Sequence, residues 1–247
     1  MKLEVNGISK KIDHKDIFQN ISFILDKGHI SAVVGSNGSG KTSIFRSIIS
    51  NYYLDNGMVL FNDSIKHSNR KIFNSIGIST QESRMYPKLS ILENIEFYKS
   101  FYNIEIHSNF NDDFYISKLQ LKSFLNIQYS KLSTGNRQKS DLLRSLVINP
   151  ELIIWDEPFA NVDLESRLNI IDLMLEMKNG LKTSFLISTH NFQSISSIID
   201  SLLILSDGKV TFSGTIKELI KLNTLQKSKG KFDYLLGEYS DSKNIEV

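Results

Sequence analysis

The chain alternates between short apolar runs and longer stretches in which apolar residues recur at helical spacing. The apolar runs predict strands at ISFIL (21–25), ISAVVG (30–35), MVLF (58–61), LIIWD (152–156), TSFLIST (183–189), SLLILS (201–206) and KVTFSG (209–214). Helices are predicted between several of these runs, at residues 41–50, 164–178 and 191–199. Unbroken runs such as LIIW are typical of parallel strands covered on both faces. The order predicts an α/β fold with a mostly parallel sheet and some antiparallel pairing near the start.

Residues 89–147 have a different pattern, with almost no strand signal and with helical stretches broken by polar segments such as HSNFNDD (107–113). We expect a helical subdomain there, inserted into one domain that spans residues 1–222. Residues 223–247 form a tail rich in lysine and serine with one small apolar patch, FDYLLGEY. The pattern leaves open whether this tail is a docking helix or a frayed end.

Composition narrows the range of functions. With 247 residues, 40% of them hydrophobic and 23% charged, the chain can bury a substantial core. A net charge of +2 gives no electrostatic basis for a nucleic-acid partner, and none is expected. The absence of cysteine excludes disulfides, thiol catalysis and thiolate metal sites. No eighteen apolar residues run together, so any membrane passage is expected to belong to another chain.

The stretch GSNGSGKT matches the phosphate-loop pattern G-x-x-x-x-G-K-[ST] in full, directly after a predicted strand and before a predicted helix. Glycines let the backbone approach a phosphate chain closely, and the following helix presents its positive end. Lys41 is predicted to reach the β and γ phosphates, and the Thr42 hydroxyl to bind Mg²⁺. A chance match is the alternative, but the strand–loop–helix context favours a P-loop NTPase core. The predicted nucleotide contacts are Gly35, Ser36, Asn37, Gly38, Ser39, Gly40, Lys41, Thr42 and Ser43.

A second candidate site is ELIIWDEP, where a predicted buried strand ends in two carboxylates. Ligands of open α/β sheets bind at the carboxyl ends of strands, so Asp156 is a candidate Mg²⁺ partner. Glu157 is then placed to polarise a water for attack on the γ-phosphate. An isolated pair of carboxylates after a strand most often belongs to a solvent-exposed loop. Beside a phosphate loop, the same pair favours ATP hydrolysis over ATP binding without hydrolysis.

Together with these two sites, four further motifs in order give the chain a resemblance to the ATP-binding cassette family, the nucleotide-binding subunits of ABC transporters. The resemblance covers about residues 2–220. The segment GISTQES (77–83) resembles the Q-loop, and LSTGNRQ (132–138) resembles the signature L-S-G-G-x-x-Q. The segments FANVD (159–163) and STH (188–190) resemble the D-loop and the H-loop.

The resemblance implies roles for five more residues. Gln81 corresponds to the glutamine that contacts Mg²⁺ and the attacking water, and His190 to the switch histidine near the γ-phosphate. Asp163 corresponds to the D-loop aspartate, and the resemblance implies that it contacts the nucleotide. Two such subunits pack head to tail in the family, which implies that Ser133 and Gly135 contact ATP held by the neighbouring subunit.

Two positions depart from the family pattern. The second signature glycine is present as Gly135, but Thr134 stands at the first glycine position. Ile12 stands where the family usually stacks an aromatic ring on adenine, so apolar contact replaces π stacking and GTP remains open as a substrate.

The resemblance also implies ATP and Mg²⁺ as cofactors and two partners: a second ABC subunit, identical or related, and a separate integral membrane permease. The expected location is cytoplasmic, on the inner face of the membrane through that permease. RMYPKLSILENIEFY (84–98) resembles small export-type ATPases, which favours export over import. The alternative is a non-transport ABC ATPase that acts as a soluble ATP-driven switch or assembly factor.

Overall fold

Two β-sheets organise the protein, whose computed structural model describes residues 1–49, 53–66, 68–102, 112–193 and 195–225. The strands are β1 (Leu3–Ile12), β2 (Lys15–Leu25), β3 (Ile30–Val34), β4 (Asn56–Phe61), β5 (Ile65–Lys66), β6 (Ile76–Ser79), β7 (Leu152–Asp156), β8 (Ser184–Thr189), β9 (Ser201–Ser206) and β10 (Lys209–Gly214). The α-helices are α1 (Lys41–Ile48), α2 (Ile91–Phe101), α3 (Asp112–Lys118), α4 (Thr134–Leu146), α5 (Leu164–Leu181) and α6 (Ile216–Leu225). Short 3₁₀ turns cover Arg70–Ser75, Lys122–Phe124 and Tyr129–Lys131.

The larger sheet has six strands in the order β10-β9-β3-β8-β7-β6. Its pairs are parallel except for the antiparallel pair β9–β10. Strands β3, β7 and β8 are buried along their whole length, as their unbroken apolar runs predict. Because parallel strands share their direction, β3, β6, β7 and β8 all have their carboxyl ends on the same side of the sheet. The predicted α/β fold is confirmed, and the candidate motifs that follow these strands lie at their carboxyl ends.

The smaller sheet is antiparallel, in the order β2-β1-β4-β5. It confirms the antiparallel pairing predicted near the start of the chain. Strands β1, β5 and β6 were missed by the hydrophobic pattern. Much of β1 is polar and half exposed, and Gly7 and several register shifts interrupt its alternation. Strand β6 has only four residues, one of them Gly77, too few to show a period.

The hydrophobic core lies in two layers, one on each face of the larger sheet. One layer packs β3, β7 and β8 against α2, α4 and α5. The other packs the opposite face of that sheet against α1 and the smaller sheet. At the centre of the first layer, the buried Trp155 donates its Nε1–H to Ser145 Oγ on α4 at 2.8 Å. This hydrogen bond links the larger sheet, whose strand β7 ends in the acidic motif, directly to α4.

Helices α2, α3 and α4 occupy the segment that was predicted to be a helical insertion. Within its described part, the strand-like pairing found is one isolated bridge between Ser90 and Gln128. Helix α2 begins with a capping box, in which Ser90 accepts from the Glu93 N–H and Glu93 accepts from the Ser90 N–H. Most of HSNFNDD lies outside the described residues. The limits of a separate subdomain stay a prediction.

The helix predicted at residues 191–199 is wrong, because the described part of that segment consists of turns. Residues 194–199 (SISSII) are all serine or β-branched isoleucine, and both types disfavour helix. The Thr189 hydroxyl starts the first turn by accepting from the Asn191 N–H at 3.0 Å. The other two predicted helices are confirmed as α1 and α5, with ends shifted by a few residues.

The end of the described chain is α6, which includes the first residues of the predicted tail. Residues 226–247, with FDYLLGEY, lie outside the described part. Among the described residues, no helix is both long and apolar enough to span a lipid bilayer.

Candidate functional site

The phosphate loop wraps around the ammonium group of Lys41. Strand β3 leads into Gly35, and Lys41 starts α1 on the far side of the loop. The Lys41 Nζ donates to the carbonyl oxygens of Gly35 at 2.7 Å and Ser36 at 3.1 Å. Gly38 and Gly40 adopt φ angles of 82° and 103°, which residues with a β-carbon rarely reach. Glycine at these positions therefore lets the loop close over the lysine.

Burial lowers the pKa of Lys41, and the nearby carboxylates of Glu157 and Asp156 oppose that shift. Its ammonium is almost fully buried and lies 3.9 Å from Glu157 Oε1. A desolvated cation of this kind gains strongly from an added anionic group, because the surrounding dielectric is low. The loop is suited to phosphate.

Asp156, at the end of β7, is held by two hydroxyl groups. Thr42 Oγ1 donates to its Oδ2 at 2.7 Å, and Ser188 Oγ donates to its Oδ1. The first bond joins α1 to β7 and brings into contact two of the three residues that were predicted to contact Mg²⁺, the third being Gln81. One carboxylate and one hydroxyl oxygen suit Mg²⁺, which usually binds few protein oxygens and completes its shell with phosphate oxygens and water. The residues present fit this ion.

Glu157 follows in a strained conformation with φ of 52°. Its N–H donates to Ser188 Oγ at 2.9 Å, which helps to hold this turn. The carboxylate Oε2 lies 3.0 Å from His190 Nδ1. The Glu157 side chain is 13% exposed, whereas the His190 side chain is 60% exposed. The carboxylate therefore lies inside the mouth of the site, and the imidazole covers it from the solvent side.

A cleft of about 270 Å³ joins these groups. Its lining includes the three predicted catalytic residues, Gln81, Glu157 and His190, together with Asp156. It also includes residues that the sequence did not single out. These are Gln138, Ala160 and Asn161, of which Gln138 donates to the Glu157 carbonyl at 3.4 Å. Gln138 ends the signature stretch and could have been found as its last motif residue.

Ser133 and Gly135 lie at the start of α4. Ser133 caps the helix by accepting from the Asn136 N–H at 3.3 Å. A β-carbon at Gly135 would lie 2.7 Å from the carbonyl oxygen of Asn161, so only glycine fits against that loop. In the described part of the chain, no hydrogen bond or ion pair joins Ser133 or Gly135 to residues 35–43. Within one subunit, Gly135 therefore packs against the D-loop segment, and Ser133 caps its own helix.

Asp163 caps α5, where its carboxylate accepts from the Ser166 N–H at 2.8 Å and from the Ser166 hydroxyl at 3.0 Å. These hydrogen bonds lower the pKa of Asp163. Its predicted contact with nucleotide stays a prediction. Ile12 ends β1 with its side chain 38% exposed, beside the turn that leads into β2.

Comparison with known proteins decides the family. A sequence model described as ABC transporter matches residues 18–160, more than half of the chain.

The chain belongs to the ABC transporter family.

This ABC protein is 27% identical over 246 residues to the intermembrane phospholipid transport system ATP-binding protein MlaF of Haemophilus influenzae, covering 94% of this chain and 91% of the relative. It is 29% identical over 236 residues to the phosphate import ATP-binding protein PstB of Aeropyrum pernix, covering 89% of this chain and 92% of the relative.

Solved structures support the same fold. An ATP-binding subunit of an ABC transporter superposes with a TM-score of 0.83 at 22% identity, covering 97% of this chain and all of the other. The ATP-binding cassette MJ0796, described as a dimer in a post-hydrolysis state bound to ADP and Pi, gives a TM-score of 0.77 at 22% identity over 87% of this chain and 98% of that one. The ABC protein therefore has the ABC ATPase fold.

Proposed function

We propose that this ABC protein is an ATP-hydrolysing subunit that dimerises around two ATP molecules and drives a separate membrane permease. The observation that carries the proposal is the position of the Glu157 carboxylate. It is directed into the cleft between His190, at 3.0 Å, and the phosphate-loop lysine Lys41, at 3.9 Å. A protein that only bound nucleotide would not need a carboxylate held at the γ-phosphate end of its loop.

In this proposal the phosphate loop holds the β and γ phosphates through its N–H groups and the Lys41 ammonium. Thr42 and Asp156 would hold Mg²⁺, which neutralises charge on the phosphate oxygens when bound. Glu157 accepts a proton from the attacking water, and His190 keeps the carboxylate in place. Gln81, on the cleft wall, orients the same water.

The second half of each site comes from a partner subunit. Ser133 and Gly135 lie at the N-terminus of α4, where backbone N–H groups and the helix dipole favour an anion. Among the described residues, neither has a hydrogen bond or ion pair to the phosphate loop of its own chain, which supports a role at the ATP of a second copy or a related subunit. The dimeric description of MJ0796 is consistent with that arrangement.

The proposed permease is a separate membrane protein, and it would hold the ABC protein at the inner face of the membrane. Relatives named as ATP-binding proteins of import and of phospholipid transport support a transport role. The resemblance of residues 84–98 to export-type ATPases makes export the finer proposal. Purification of the protein from its native membranes tests the assignment. Recovery with a protein of about six membrane spans supports it, and recovery with a cytosolic partner alone would favour an ATP-driven switch.

Replacing Glu157→Gln tests the hydrolysis step. Without the general base, we expect the turnover number to fall by about 10²- to 10⁴-fold. ATP contacts made by the loop remain, so the variant should accumulate as an ATP-bound dimer, measurable by light scattering after gel filtration. Glu151→Gln, at the opposite end of β7, is the matched control and should leave turnover unchanged. Full turnover in Glu157→Gln would remove this residue from the role of base.

A further inference from the structure

A buried carboxylate on α4 joins three segments that are distant in sequence. Asp141 is 6% exposed. Its Oδ1 accepts from Ser83 Oγ at 2.7 Å, and its Oδ2 accepts from Tyr129 OH at 2.7 Å. Ser83 lies two residues after Gln81, and Tyr129 lies four residues before Ser133. One side chain therefore connects the segment after Gln81, the turn before the signature and α4 itself.

The chemistry of this cluster depends on an acceptor-only group. A carboxylate can accept from both hydroxyls at once, whereas an apolar side chain would leave the buried Tyr129 hydroxyl without a partner and would release the exposed Ser83 hydroxyl to solvent. Burial raises the pKa of Tyr129, which keeps its phenol protonated as a donor. Burial also raises the pKa of Asp141, while the two hydroxyl donors, the Arg144 guanidinium and the Arg84 N–H oppose that rise.

The Ser83 contact also shapes the loop that contains Gln81. Ser83 Oγ donates to Asp141 and accepts from the Met85 N–H at 3.1 Å. The backbone is therefore folded over the hydroxyl. The Ser83 bond links this turn to α4, beside the Arg84 N–H, which also acts on Asp141, and the Arg144 side chain, which donates to the Ile78 carbonyl. At the other end of the segment, Gln81 lines the nucleotide cleft with Glu157.

We propose that Asp141 is a positioning residue that couples the Gln81 loop to the start of α4. The inference rests on the proposed function, in which Gln81 contacts the ATP of its own subunit and α4 contacts the ATP of the partner. ATP held in one subunit then sets the position of that subunit's α4, and through it the second site. The link gives the dimer a route by which the two sites act together.

Replacing Ser83→Ala removes the side-chain hydrogen bond from the loop to Asp141, while Tyr129 still binds that carboxylate. We expect the Hill coefficient of ATP hydrolysis to fall from about 2 towards 1, because ATP bound at one site no longer raises the affinity of the other. The affinity of dilute protein for a non-hydrolysable ATP analogue should change by less than about twofold, because no phosphate-loop contact is touched. Ser83→Thr keeps a hydroxyl at this position and should restore wild-type values.

The matched control is Ser140→Ala, a buried hydroxyl on α4 that donates to the Asn136 carbonyl of the same helix at 2.7 Å. It should leave the Hill coefficient unchanged. Asp141→Ala, which removes both contacts, should lower the Hill coefficient at least as far as Ser83→Ala. Equal effects of Ser83→Ala and Ser140→Ala would overturn the inference, since general loosening of α4 would explain them.

Two other results distinguish a failure of this inference from a failure of the proposed function. Wild-type cooperativity in both Ser83→Ala and Asp141→Ala would overturn the coupling role and leave the proposed ATPase standing. A wild-type protein without cooperative hydrolysis would overturn the shared site, and the coupling role with it.

Discussion

Gly135 illustrates how the D-loop constrains the residues that can start α4. The carbonyl oxygen of Asn161 would lie 2.7 Å from a β-carbon at this position, and Asn161 itself adopts a φ of 60°. The first turn of α4 and the D-loop therefore meet through backbone atoms, without room for a methyl group. The resemblance gave Gly135 a role in binding ATP, and the fold gives it a second role inside its own subunit.

Substituting Gly135→Ala should therefore reduce stability even in the absence of nucleotide. Forcing a methyl group against the Asn161 carbonyl is an overpacking change, for which about 1–3 kcal/mol of unfolding free energy is typical. Denaturation in urea measures it. Gly180→Ala is the control, because its added β-carbon on α5 meets no described atom within 4 Å apart from its chain neighbours and the backbone of its own helix. That change should stabilise by about 0.5–1 kcal/mol. Equal stability of Gly135→Ala and wild type would contradict the close approach.

At the level of single residues, the sequence predicted the positions of those candidate site residues that belong to a local sequence motif. Lys41 and Asp156 lie where the phosphate loop and the strand end predicted them. Asn161 and Ala160 were not predicted, because they reach the cleft only through the packing of the D-loop against α4. No local pattern encodes such a contact.

Two helices begin with the same reciprocal cap. Glu93 accepts from the Ser90 N–H at 2.7 Å at the start of α2, and Glu218 accepts from the Thr215 N–H at 2.7 Å at the start of α6. The capping residues Ser90 and Thr215 accept from the N–H groups of the two glutamates in return. These bonds favour the ionised carboxylates and hold the pKa of Glu93 and of Glu218 below their ordinary value of 4.5.

The lowered pKa values predict a direction for acid stability. A carboxyl whose pKa is lower in the folded state contributes stability that is present above its unfolded value, here 4.5, and is lost as pH falls through the folded value. The double variant Glu93→Gln, Glu218→Gln keeps an acceptor without the titration. Its urea midpoint should therefore fall less than that of wild type between pH 6 and pH 3. Parallel curves for the two proteins would show that these caps do not contribute.

Among the elements, those with a strong period were predicted and those that depend on distant partners were not. Strands β3, β7 and β8 were found because they are buried on both faces. Strand β6 was missed because its place at the sheet edge comes from pairing with β7, more than seventy residues later. The segment 191–199 is apolar enough for a helix, but its turns bury Phe192 and Ile195 instead.

For the whole molecule, the sequence predicted the fold class, and the resemblance indicated the family. The order of the strands in the larger sheet could not be predicted from the sequence. The order β10-β9-β3-β8-β7-β6 places β3 between two strands that follow it by more than 150 residues. Such long-range pairing is decided by how the helices cover both faces of the sheet, and no local pattern reports it.

An ATP site built from two subunits also predicts how the rate of ATP hydrolysis depends on protein concentration. If each ATP needs residues from two subunits, dilute protein is mostly inactive monomer. The rate should then rise about as the square of protein concentration at the low end, because it follows the dimer population. Steady-state hydrolysis measured over a hundredfold dilution series tests this. Light scattering on the same samples provides the control, and a strictly linear rate would contradict a shared site.

The bond between Trp155 and Ser145 gives the protein a natural optical reporter. Trp155 is the single tryptophan of the chain, it is buried, and it immediately precedes Asp156. Because its indole N–H bonds to α4, the emission wavelength and lifetime of its fluorescence depend on the distance between the nucleotide-binding sheet and that helix. We therefore expect any displacement of α4 relative to the sheet to change the fluorescence of the unlabelled protein, with no engineered probe.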